Sequence, residues 1–223
     1  MSRPLLVLRP QPGNAATVAA AHALGLEAIA APLFDIHPLG WTLPDRRPDA
    51  VLMTSANAVR HGGANLAALI DLPAYAVGAA TAEVARDAGF DRIVTGDGDV
   101  DAVLALARHH GIASLLHLAG RDYRPPASPG VAIERRFVYA AEAVDALPDI
   151  ARDALPEAIA LLHSPRAAAL FARFVDPAAI TIAAISPATL TAAGGGWRAS
   201  QVAEQPTDAS LLAVAAKLCD QGV

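Results

Sequence analysis

Short apolar runs recur along the chain, and each is followed by small or polar residues and then by a helical pattern. The runs cover residues 5–8, 50–53, 74–77, 114–118, 159–163 and 181–185. Runs of this length indicate strands that are buried on both faces of a sheet. After the first run, the segment RPQPGN contains helix breakers, and Asn14 is predicted to cap a helix that ends at Leu24. Strands that alternate with helices predict a doubly wound α/β fold with parallel sheets.

The chain also repeats itself at a separation of about 108 residues. The segment VLMTSANAVRH at residues 51–61 resembles ALLHSPRAAAL at 160–170, and AVGAATAEVA at 76–85 resembles AISPATLTAA at 184–193. Solenoid repeats recur every 20 to 50 residues or so, which makes this separation that of a whole domain. The length of 223 residues accommodates two such domains.

Polar residues occupy matching places in the two copies. The matched pairs are Ser55 with Ser164, Thr81 with Thr189, and Asp101 with Asp208. Each of these residues lies at or near the start of a predicted helix. Two similar domains that face each other form a cleft, and we expect the hydroxyl residues of both copies to face it.

The first strand and helix belong to a domain that the end of the chain completes. LLVLRPQPG, from Leu5, resembles SLLHLAGRD, from Ser114, and looks like the start of a unit whose remainder follows residue 140. The predicted first domain is therefore discontinuous. We predict one domain from residues 1–35 and 143–223, a second from 40–138, and connectors at 35–40 and 139–143.

Composition and charge argue against several classes of function. Hydrophobic residues make up 54% of the chain, and a net charge of −5 without a Lys/Arg run argues against nucleic acid as a partner. Cys219 is the only cysteine, which excludes an intramolecular disulfide and a multi-cysteine metal site. The histidines lack metal-ligand spacing, and the apolar runs are too short for a signal peptide or a membrane span. We expect a cytoplasmic protein without metal, membrane or nucleic acid.

Several segments, taken together, resemble the uroporphyrinogen-III synthase family, which cyclises the linear tetrapyrrole hydroxymethylbilane. They are LVLRPQPG, VLMTSANAV, AVGAATAEVARDAGF, FVY at Phe137, ALLHSPRAAALF, ISPATLTAAGG and AEQPTDASLL. They span nearly all of the chain in the family's order. The resemblance implies two doubly wound domains joined by a two-strand connector, and a monomer that uses no metal or organic cofactor.

The resemblance also implies what the site must do. The substrate carries eight carboxylates, and the reaction removes water from a hydroxymethyl group and inverts ring D before the macrocycle closes. Helix N-termini attract anions through their unpaired N–H groups and the positive end of the helix dipole. In parallel α/β sheets these termini lie at the carboxyl edge of the strands, where ligands bind. We expect the acidic arms of the substrate at this edge.

The residues predicted to bind substrate lie at these helix starts. They are Ser55, Asn57, Thr81, Ser164, Arg166, Thr189 and Thr207. Ser, Thr and Asn also cap helices for stability alone, which is the structural alternative for most of this group. Arg9 follows the first strand and is predicted to pair with a substrate carboxylate, with a surface ion pair as its alternative. Arg121 and Arg124 are weaker candidates.

Tyr139 is the predicted catalytic residue. It ends the extended run 132–139, and the resemblance places it at the functionally implicated tyrosine of the family. A phenol can donate a proton to a leaving hydroxyl group or orient it, although a reference pKa near 10 makes it a weak acid. The structural alternative is an amphipathic residue at the end of a strand.

Two features depart from the family pattern. Ser186 stands where the family usually has Gly, and a side chain there limits the approach of the backbone to a ligand. The segment 120–130 contains Pro125, Pro126 and Pro129 where the family commonly has a helix. Proline inside a helix costs about 3 kcal/mol, so we predict a loop.

Two other functions fit the same sequence features. A two-domain protein that binds a small anion in the cytoplasm would share the cleft and the helix caps. A non-catalytic relative of the synthase would share the fold. Tyr139 and the two Ser-containing turns favour the enzyme over such a relative.

Overall fold

A computed structural model describes residues 3–96, 99–123, 125–127 and 130–220. The chain divides into two compact units: unit 1 contains Met1–Asp35 and Glu142–Val223, and unit 2 contains Ile36–Ala141. Each unit has its own sheet with parallel strands and connecting helices. The predicted fold class, two doubly wound α/β domains of which the first is discontinuous, is confirmed.

The strands are short, and helices separate most of them along the chain. In chain order the strands are β1 (Leu5–Val7), β2 (Ala28–Ala30), β3 (Phe34–Pro38), β4 (Ala50–Met53), β5 (Ala74–Val77), β6 (Ile93–Gly96), β7 (Ser114–Gly120), β8 (Ala132–Ala143), β9 (Ile159–Leu162), β10 (Thr181–Ala184) and β11 (Ala199–Val202). The α-helices are α1 (Gly13–Ala23), α2 (Ala56–Arg60), α3 (Ala79–Asp87), α4 (Val100–His109), α5 (Asp149–Ala154), α6 (Pro165–Ala172), α7 (Pro187–Ala193) and α8 (Asp208–Asp220). Short 3-10 helices occur at Ala64–Leu69 and Pro177–Ala179. Among the residues described, no helix combines the length and apolarity that a membrane span needs.

The sheet of unit 1 combines both ends of the chain. Its strands follow the order β11-β10-β9-β1-β2, and all neighbours are parallel. Leu5 pairs with Ile159 on one side and with Ala28 on the other. Every side chain of β1 and β9 is fully buried, as expected for strands covered on both faces. The last third of the chain therefore completes the sheet that the first strand begins.

The sheet of unit 2 has six strands in the order β3-β8-β7-β4-β5-β6. Neighbours from β8 to β6 are parallel. The edge strand β3 is antiparallel to β8, because the Leu39 N–H donates to Val138 O and the Val144 N–H donates to Leu33 O. The chain passes between the units through these two strands, as the predicted two-strand connector requires.

Two apolar clusters cover the two faces of the unit 2 sheet. Val51, Met53 and Leu116 contribute to one cluster, and Leu52 and Leu115 contribute to the other. Neighbours along a strand therefore alternate between clusters, as the pleat requires. Burial of both faces explains why these strands read as unbroken apolar runs rather than as alternating patterns.

The predicted cap at Asn14 is wrong. Helix α1 begins at Gly13, and the buried Asn14 side chain donates hydrogen bonds to the backbone oxygens of Val7 and Arg9 at 2.8 and 2.9 Å. The amide therefore satisfies carbonyl groups at the end of β1 instead of N–H groups at the start of α1. A local cap rule cannot distinguish these two uses of the same side chain.

The predicted loop at 120–130 agrees with the described part of that segment. Residues 121–123 and 125–127 form no helix or strand between β7 and β8. Arg124 and Pro129 lie outside the described residues. The pairing of β7 with β8 is intact on both sides of this loop.

Candidate active site

Asp208, the first residue of α8, is the centre of a polar cluster at the carboxyl edge of the unit 1 sheet. Arg9, after β1, donates its Nη1–H to Oδ1 at 2.9 Å, and Thr17 on α1 donates its hydroxyl to Oδ2 at 2.6 Å. His163, after β9, places Nε2 at 3.2 Å from Oδ1, off the line of a well-formed hydrogen bond. The cluster therefore ties the ends of two strands to two helices.

These contacts decide the ionisation of Asp208. Burial alone raises the pKa of the carboxyl group, but the His163 contact, the Thr17 hydrogen bond and the Arg9 charge together lower it to about 2. The His163 side chain is only 4% exposed, and its Nδ1 has no hydrogen-bond partner among the described residues. Asp208 is therefore ionised at neutral pH and compensates the charge of Arg9.

The predicted substrate ligand Arg9 thus has an internal partner. Its side chain is half-buried, and its Nη1 contacts both carboxylate oxygens of Asp208. A substrate carboxylate at this position would share the guanidinium with Asp208. The role of Arg9 in substrate binding stays a prediction.

Three of the predicted substrate-binding hydroxyls cap helices. Ser55, Ser164 and Thr207 each accept a hydrogen bond, at 3.2–3.3 Å, from a backbone N–H at the starts of α2, α6 and α8 respectively. A hydroxyl oxygen that accepts one such bond can still donate its proton to a ligand. The capping role is therefore compatible with the predicted binding role and does not replace it.

The matched residues Thr81 and Thr189 have different surroundings. Thr189 on α7 is fully buried, and its hydroxyl lies 3.0 Å from Ser186 Oγ. Gly78, the counterpart of Ser186, has a φ of 80° and provides no side-chain cap for α3. Thr81 is 5% exposed, and its hydroxyl makes no hydrogen bond within the described part of the chain. The start of α3 therefore lacks a side-chain cap and has a Thr81 hydroxyl without a hydrogen bond to the described residues, whereas Ser186 caps α7.

Ser186, where the sequence departs from the family pattern, fits without strain. Its φ of −156° and ψ of 161° describe an extended backbone that any residue adopts. Its hydroxyl accepts a hydrogen bond from the Thr189 N–H at 3.2 Å. The substitution therefore adds a helix cap at the cost of a side chain where glycine would leave the backbone open.

Asn57 and Arg166 occupy the first turns of α2 and α6. Asn57 Oδ1 accepts a hydrogen bond from Arg60 Nη1 at 3.3 Å. Arg166 is exposed, and its guanidinium carbon lies 4.5 Å above the centre of the Phe34 ring. Arg166, Phe34 and Arg173 contribute to the lining of a cavity of about 260 Å³ in unit 1. Arg166 is therefore oriented by an aromatic ring as well as by its helix.

Tyr139 lies on β8 next to the end of β7. A Cβ atom on Gly120 would come within 2.6–2.9 Å of the Tyr139 ring and hydroxyl, so this approach requires glycine. His61 follows α2, and its ring centre lies 6.1 Å from that of Tyr139. Neither the Tyr139 hydroxyl nor the His61 ring has a hydrogen-bond partner in the part of the chain that the structure describes. Burial, followed by the charges of Arg60 and His37, lowers the pKa of His61.

A second polar network links β4, β7 and β8 in unit 2. Arg135 donates Nε–H to His117 Nδ1 at 3.1 Å and Nη1–H to Tyr123 Oη at 3.0 Å. Because Nδ1 accepts this hydrogen bond, we assign the proton of the neutral His117 ring to Nε2, which lies 3.1 Å from Thr54 Oγ1. Burial and then the charge of Arg135 lower the pKa of His117 to about 4, which keeps the ring neutral at pH 7.

Sequence reasoning misses several residues of these networks. Among the described residues, no group of three or more His, Cys, Asp or Glu could hold a metal ion. His61, His117 and His163 belong to side-chain clusters that no sequence spacing reveals. The sequence does indicate Asp208, because this residue matches Asp101 in the repeat.

A family model described as Uroporphyrinogen-III synthase HemD matches residues 15–213. The match includes nearly all of the chain and both units. The chain belongs to the uroporphyrinogen-III synthase family. It is therefore an enzyme, a cyclising lyase that converts hydroxymethylbilane with loss of water and inversion of ring D.

Solved structures of uroporphyrinogen-III synthases have the same fold. The uroporphyrinogen-III synthetase from Helicobacter pylori 26695 is 18% identical and has a TM-score of 0.69, with 97% of this chain and 99% of that chain covered. A mutant uroporphyrinogen III synthase from the extremely thermophilic bacterium Thermus thermophilus is 15% identical and has a TM-score of 0.54, with 99% of each chain covered. At these identities the likeness concerns the fold alone. No curated protein matches the chain.

The Asp208 cluster predicts a pH-dependent contribution to the stability of this synthase. The folded pKa of about 2 lies below the reference value of 3.8, so ionised Asp208 stabilises the fold above pH 3.8. This contribution is lost as pH falls toward 2. Asp208→Asn should lower the free energy of unfolding at pH 7 by about 1–2 kcal/mol, because water screens the partly exposed group.

Urea unfolding at a series of pH values tests this prediction. The difference between wild type and Asp208→Asn should narrow as pH approaches 2. Asp149→Asn is the matched control, because Asp149 is 86% exposed and pairs with Arg152 at the surface. Equal effects of the two variants would contradict a structural role of the cluster.

The lowered pKa of His117 predicts a second pH dependence of stability. Here the charged form is a cation, whereas that of Asp208 is an anion. The unfolded chain binds a proton at His117 near pH 6.5, whereas the folded synthase does so only near pH 4. The free energy of unfolding should therefore fall by about 2–3 kcal/mol as pH drops from 6.5 to 4. His117→Gln should remove this part of the pH dependence. The free energy of unfolding of both proteins is measured across this pH range. If it changes with pH equally in both proteins, His117 does not contribute.

Proposed function

We propose that Tyr139 of this synthase assists the loss of water from hydroxymethylbilane and that helix starts in both units bind the substrate's carboxylates. The observation that carries the proposal is the pair of Tyr139 and His61. Both side chains are half-buried, and neither polar group has a hydrogen-bond partner among the described residues. Neither side chain is fully buried, so a ligand can reach both polar groups and supply the partners that the described residues do not.

The proposed chemical step needs one proton at the leaving oxygen. Tyr139 donates its hydroxyl proton as the C–O bond of the hydroxymethyl group breaks, and the oxygen leaves as water. The remaining cation forms a C–C bond with the substituted carbon of ring D, which gives a spiro intermediate. The original bond from this carbon to the neighbouring ring then breaks and re-forms at the unsubstituted pyrrole carbon of ring D, which inverts the ring. The proton that the pyrrole carbon then loses restores the neutral phenol. Burial lowers the pKa of His61 and so favours its neutral ring, which can accept a hydrogen bond from the phenol and orient it.

In unit 2, the start of α3 is the proposed carboxylate site. Gly78 leaves the first N–H groups of this helix without a side-chain cap, and the helix dipole adds positive potential. The Thr81 hydroxyl supplies a further donor. Helix α2, which Ser55 caps and whose first turn contains Asn57, packs against α3 and extends the same group of donors.

In unit 1, we assign the corresponding role to the starts of α6, α7 and α8. Ser164 and Thr207 present hydroxyls whose oxygens already cap their helices. Arg9 and Arg166 supply positive charge, although Arg9 shares its charge with Asp208. Buried Thr189 contributes through the start of α7, where it is bonded to Ser186, rather than through direct contact with a bulky ligand.

The proposed partners and location follow from the family and the composition. The synthase acts on a small molecule, and we infer that it does so as a monomer in the cytoplasm. The net charge of −5 supports the absence of nucleic acid. We also expect the reaction to need no metal or organic cofactor, because protonation of the leaving group and placement of ring D require neither.

Removal of the Tyr139 hydroxyl should affect turnover and not folding. Tyr139→Phe should lower kcat by about 10- to 1,000-fold, because water can partly replace the phenol as proton donor. His61→Phe keeps an aromatic ring beside Tyr139 and should lower kcat less while changing its pH profile. The assay uses freshly made hydroxymethylbilane and separates type III from type I product.

The matched control is Tyr75→Phe. Tyr75 belongs to the opposite apolar face of the unit 2 sheet, and its hydroxyl contacts His110 Nδ1 at 2.9 Å. Its loss should leave turnover unchanged. Wild-type turnover in Tyr139→Phe would remove this residue from the mechanism and favour a site that acts through electrostatics and substrate placement alone.

The helix-start proposal predicts different results for free and capping hydroxyls. Thr81→Val should raise KM by about 2- to 10-fold with unchanged stability, because its hydroxyl has no partner to lose in the described residues. Ser164→Ala and Ser55→Ala should lower stability as well as affinity, since each removes a cap. Thr95→Val, at an exposed position on β6, is the control. An unchanged KM in Thr81→Val would exclude its hydroxyl from substrate binding.

A further inference from the structure

Unit 2 contains a surface cavity of about 790 Å³ beside β8, which we call the arginine cavity. Its lining includes Trp41, Thr42, Arg121, Arg135, Arg136 and Phe137, and no acidic residue is among the described residues that line it. Three guanidinium groups and two aromatic side chains therefore surround one opening. This combination suits an anionic ligand with a flat apolar part.

Arg135 has only neutral partners. Its Nε–H and one Nη1–H donate to His117 Nδ1 and Tyr123 Oη, and its guanidinium carbon lies 3.9 Å above the centre of the Tyr123 ring. Arginine has five N–H donors, so three have no hydrogen-bond partner among the described residues. No described carboxylate forms an ion pair with Arg135. The group is nevertheless half-buried and held in place by two side chains.

Arg136, next to Arg135 in the chain, differs because it has an acidic partner. Arg136 Nη2 lies 2.6 Å from Glu134 Oε1, and its Nε donates to the backbone oxygen of Thr42 at 2.8 Å. The charge of Arg136 is therefore compensated within the protein. A partly buried cation without such compensation is unfavourable until an anion approaches it. Arg135 consequently marks the position in the cavity where an anion would stabilise the protein most.

The aromatic walls restrict what kind of anion fits. Phe137 is 41% exposed, and its ring centre lies 5.8 Å from that of Tyr123. Trp41 is held from both sides, because its indole N–H donates to Gly62 O and its backbone oxygen accepts from Asn65, each at 2.8 Å. Rigid aromatic faces favour a planar ring over a flexible aliphatic chain. A carboxylate attached to such a ring would reach the guanidinium groups.

The cavity also adjoins the proposed proton donor. The backbone N–H of Arg121 donates to Tyr139 O at 3.0 Å, and Phe137 lies two residues before Tyr139 on β8. A ligand that fills the cavity thus lies next to the strand segment that carries the phenol. The octacarboxylate substrate has four planar pyrrole rings with carboxylate arms. One such ring has the chemistry that the cavity would recognise.

The geometry points to the arginine cavity as a subsite for one pyrrole ring of hydroxymethylbilane, with Arg135 binding a carboxylate arm and Trp41 and Phe137 contacting the ring. This assignment rests on the proposed function, because it names a subsite for the same substrate. His117 and Tyr123 are then positioning residues. They fix the guanidinium fork so that its unused N–H groups can bind a carboxylate in two-pronged geometry.

A titration with benzene-1,2-dicarboxylate, a planar ring with two carboxylates, tests the subsite without any turnover. Binding should shift the NMR signal of the Trp41 indole N–H and leave that of Trp197 unchanged, because Trp197 stacks on Phe171 in unit 1. The spectrum of Trp197→Phe assigns the two signals. Equal shifts of both signals, or no shift of Trp41, would overturn the proposal.

Variants identify the groups that bind the probe. Arg135→Gln should weaken binding by about 10-fold or more, and Arg135→Lys should weaken it less, since it keeps the charge and loses the fork. Phe137→Ala tests the ring contact at an exposed position, where unfolding is not expected. Arg47→Gln, which removes an exposed arginine paired with Asp71, is the control and should bind normally. Undiminished binding by both Arg135→Gln and Phe137→Ala would contradict the assignment.

Kinetics separate this proposal from that on Tyr139. Phe137→Ala should raise KM for hydroxymethylbilane with little change in kcat, and Arg135→Lys should do the same. If probe binding depends on Arg135 but KM does not change in either variant, the cavity is not a substrate subsite and the proposal fails. Unchanged turnover of Tyr139→Phe would refute the proton-donor role and leave the titration result intact.

Discussion

The carboxylate of Asp208 is the group on which the geometry of unit 1 depends. It begins the last helix, yet its hydrogen-bond donors Arg9 and Thr17 lie near the start of the chain, and His163 follows β9. Strand β1 lies between β9 and β2, so residues from the first and last parts of the chain meet at the carboxyl ends of these parallel strands. A half-buried Arg9 at this edge needs a nearby anion, because an uncompensated charge there is costly. Asp208 supplies that anion and thereby fixes where α8 begins relative to β1 and β9.

Unit 2 has a different arrangement of charge. Arg135 lies on β8 and is held by His117 and Tyr123, which are neutral, and no described carboxylate approaches it. The burial that keeps His117 uncharged also prevents it from adding a second positive charge beside Arg135. In each unit, therefore, the residues around one arginine determine whether its charge is compensated within the protein. An arginine paired with aspartate stabilises the fold, whereas an arginine held by neutral groups keeps its attraction for anions outside the protein.

The repeat predicts corresponding positions better than it predicts corresponding roles. Thr81 and Thr189 match in sequence, and each lies in the first turn of its helix. The residue three positions earlier makes them different: Ser186 caps α7 and bonds to Thr189, whereas Gly78 leaves the start of α3 without a side-chain cap. Asn14 behaves in the same way, because its amide satisfies strand carbonyls rather than a helix start. Local rules identify residues that can form such bonds, but the neighbouring backbone decides which bond forms.

The sequence by itself determined the architecture and the family. Unbroken apolar runs require strands covered on both faces, the repeat requires two similar domains, and the ordered segments from LVLRPQPG to AEQPTDASLL match one family. The tertiary structure alone decided which polar groups meet. Thr54 and His117 are 63 residues apart, and Arg9 and Asp208 are 199 apart, yet each pair is within 3.1 Å. Strand order brings such residues together, and sequence spacing does not encode it. The contact of His61 with Tyr139 likewise depends on how α2 packs against the sheet. The sequence does not encode this, because a short apolar strand has the same pattern whichever strand it pairs with.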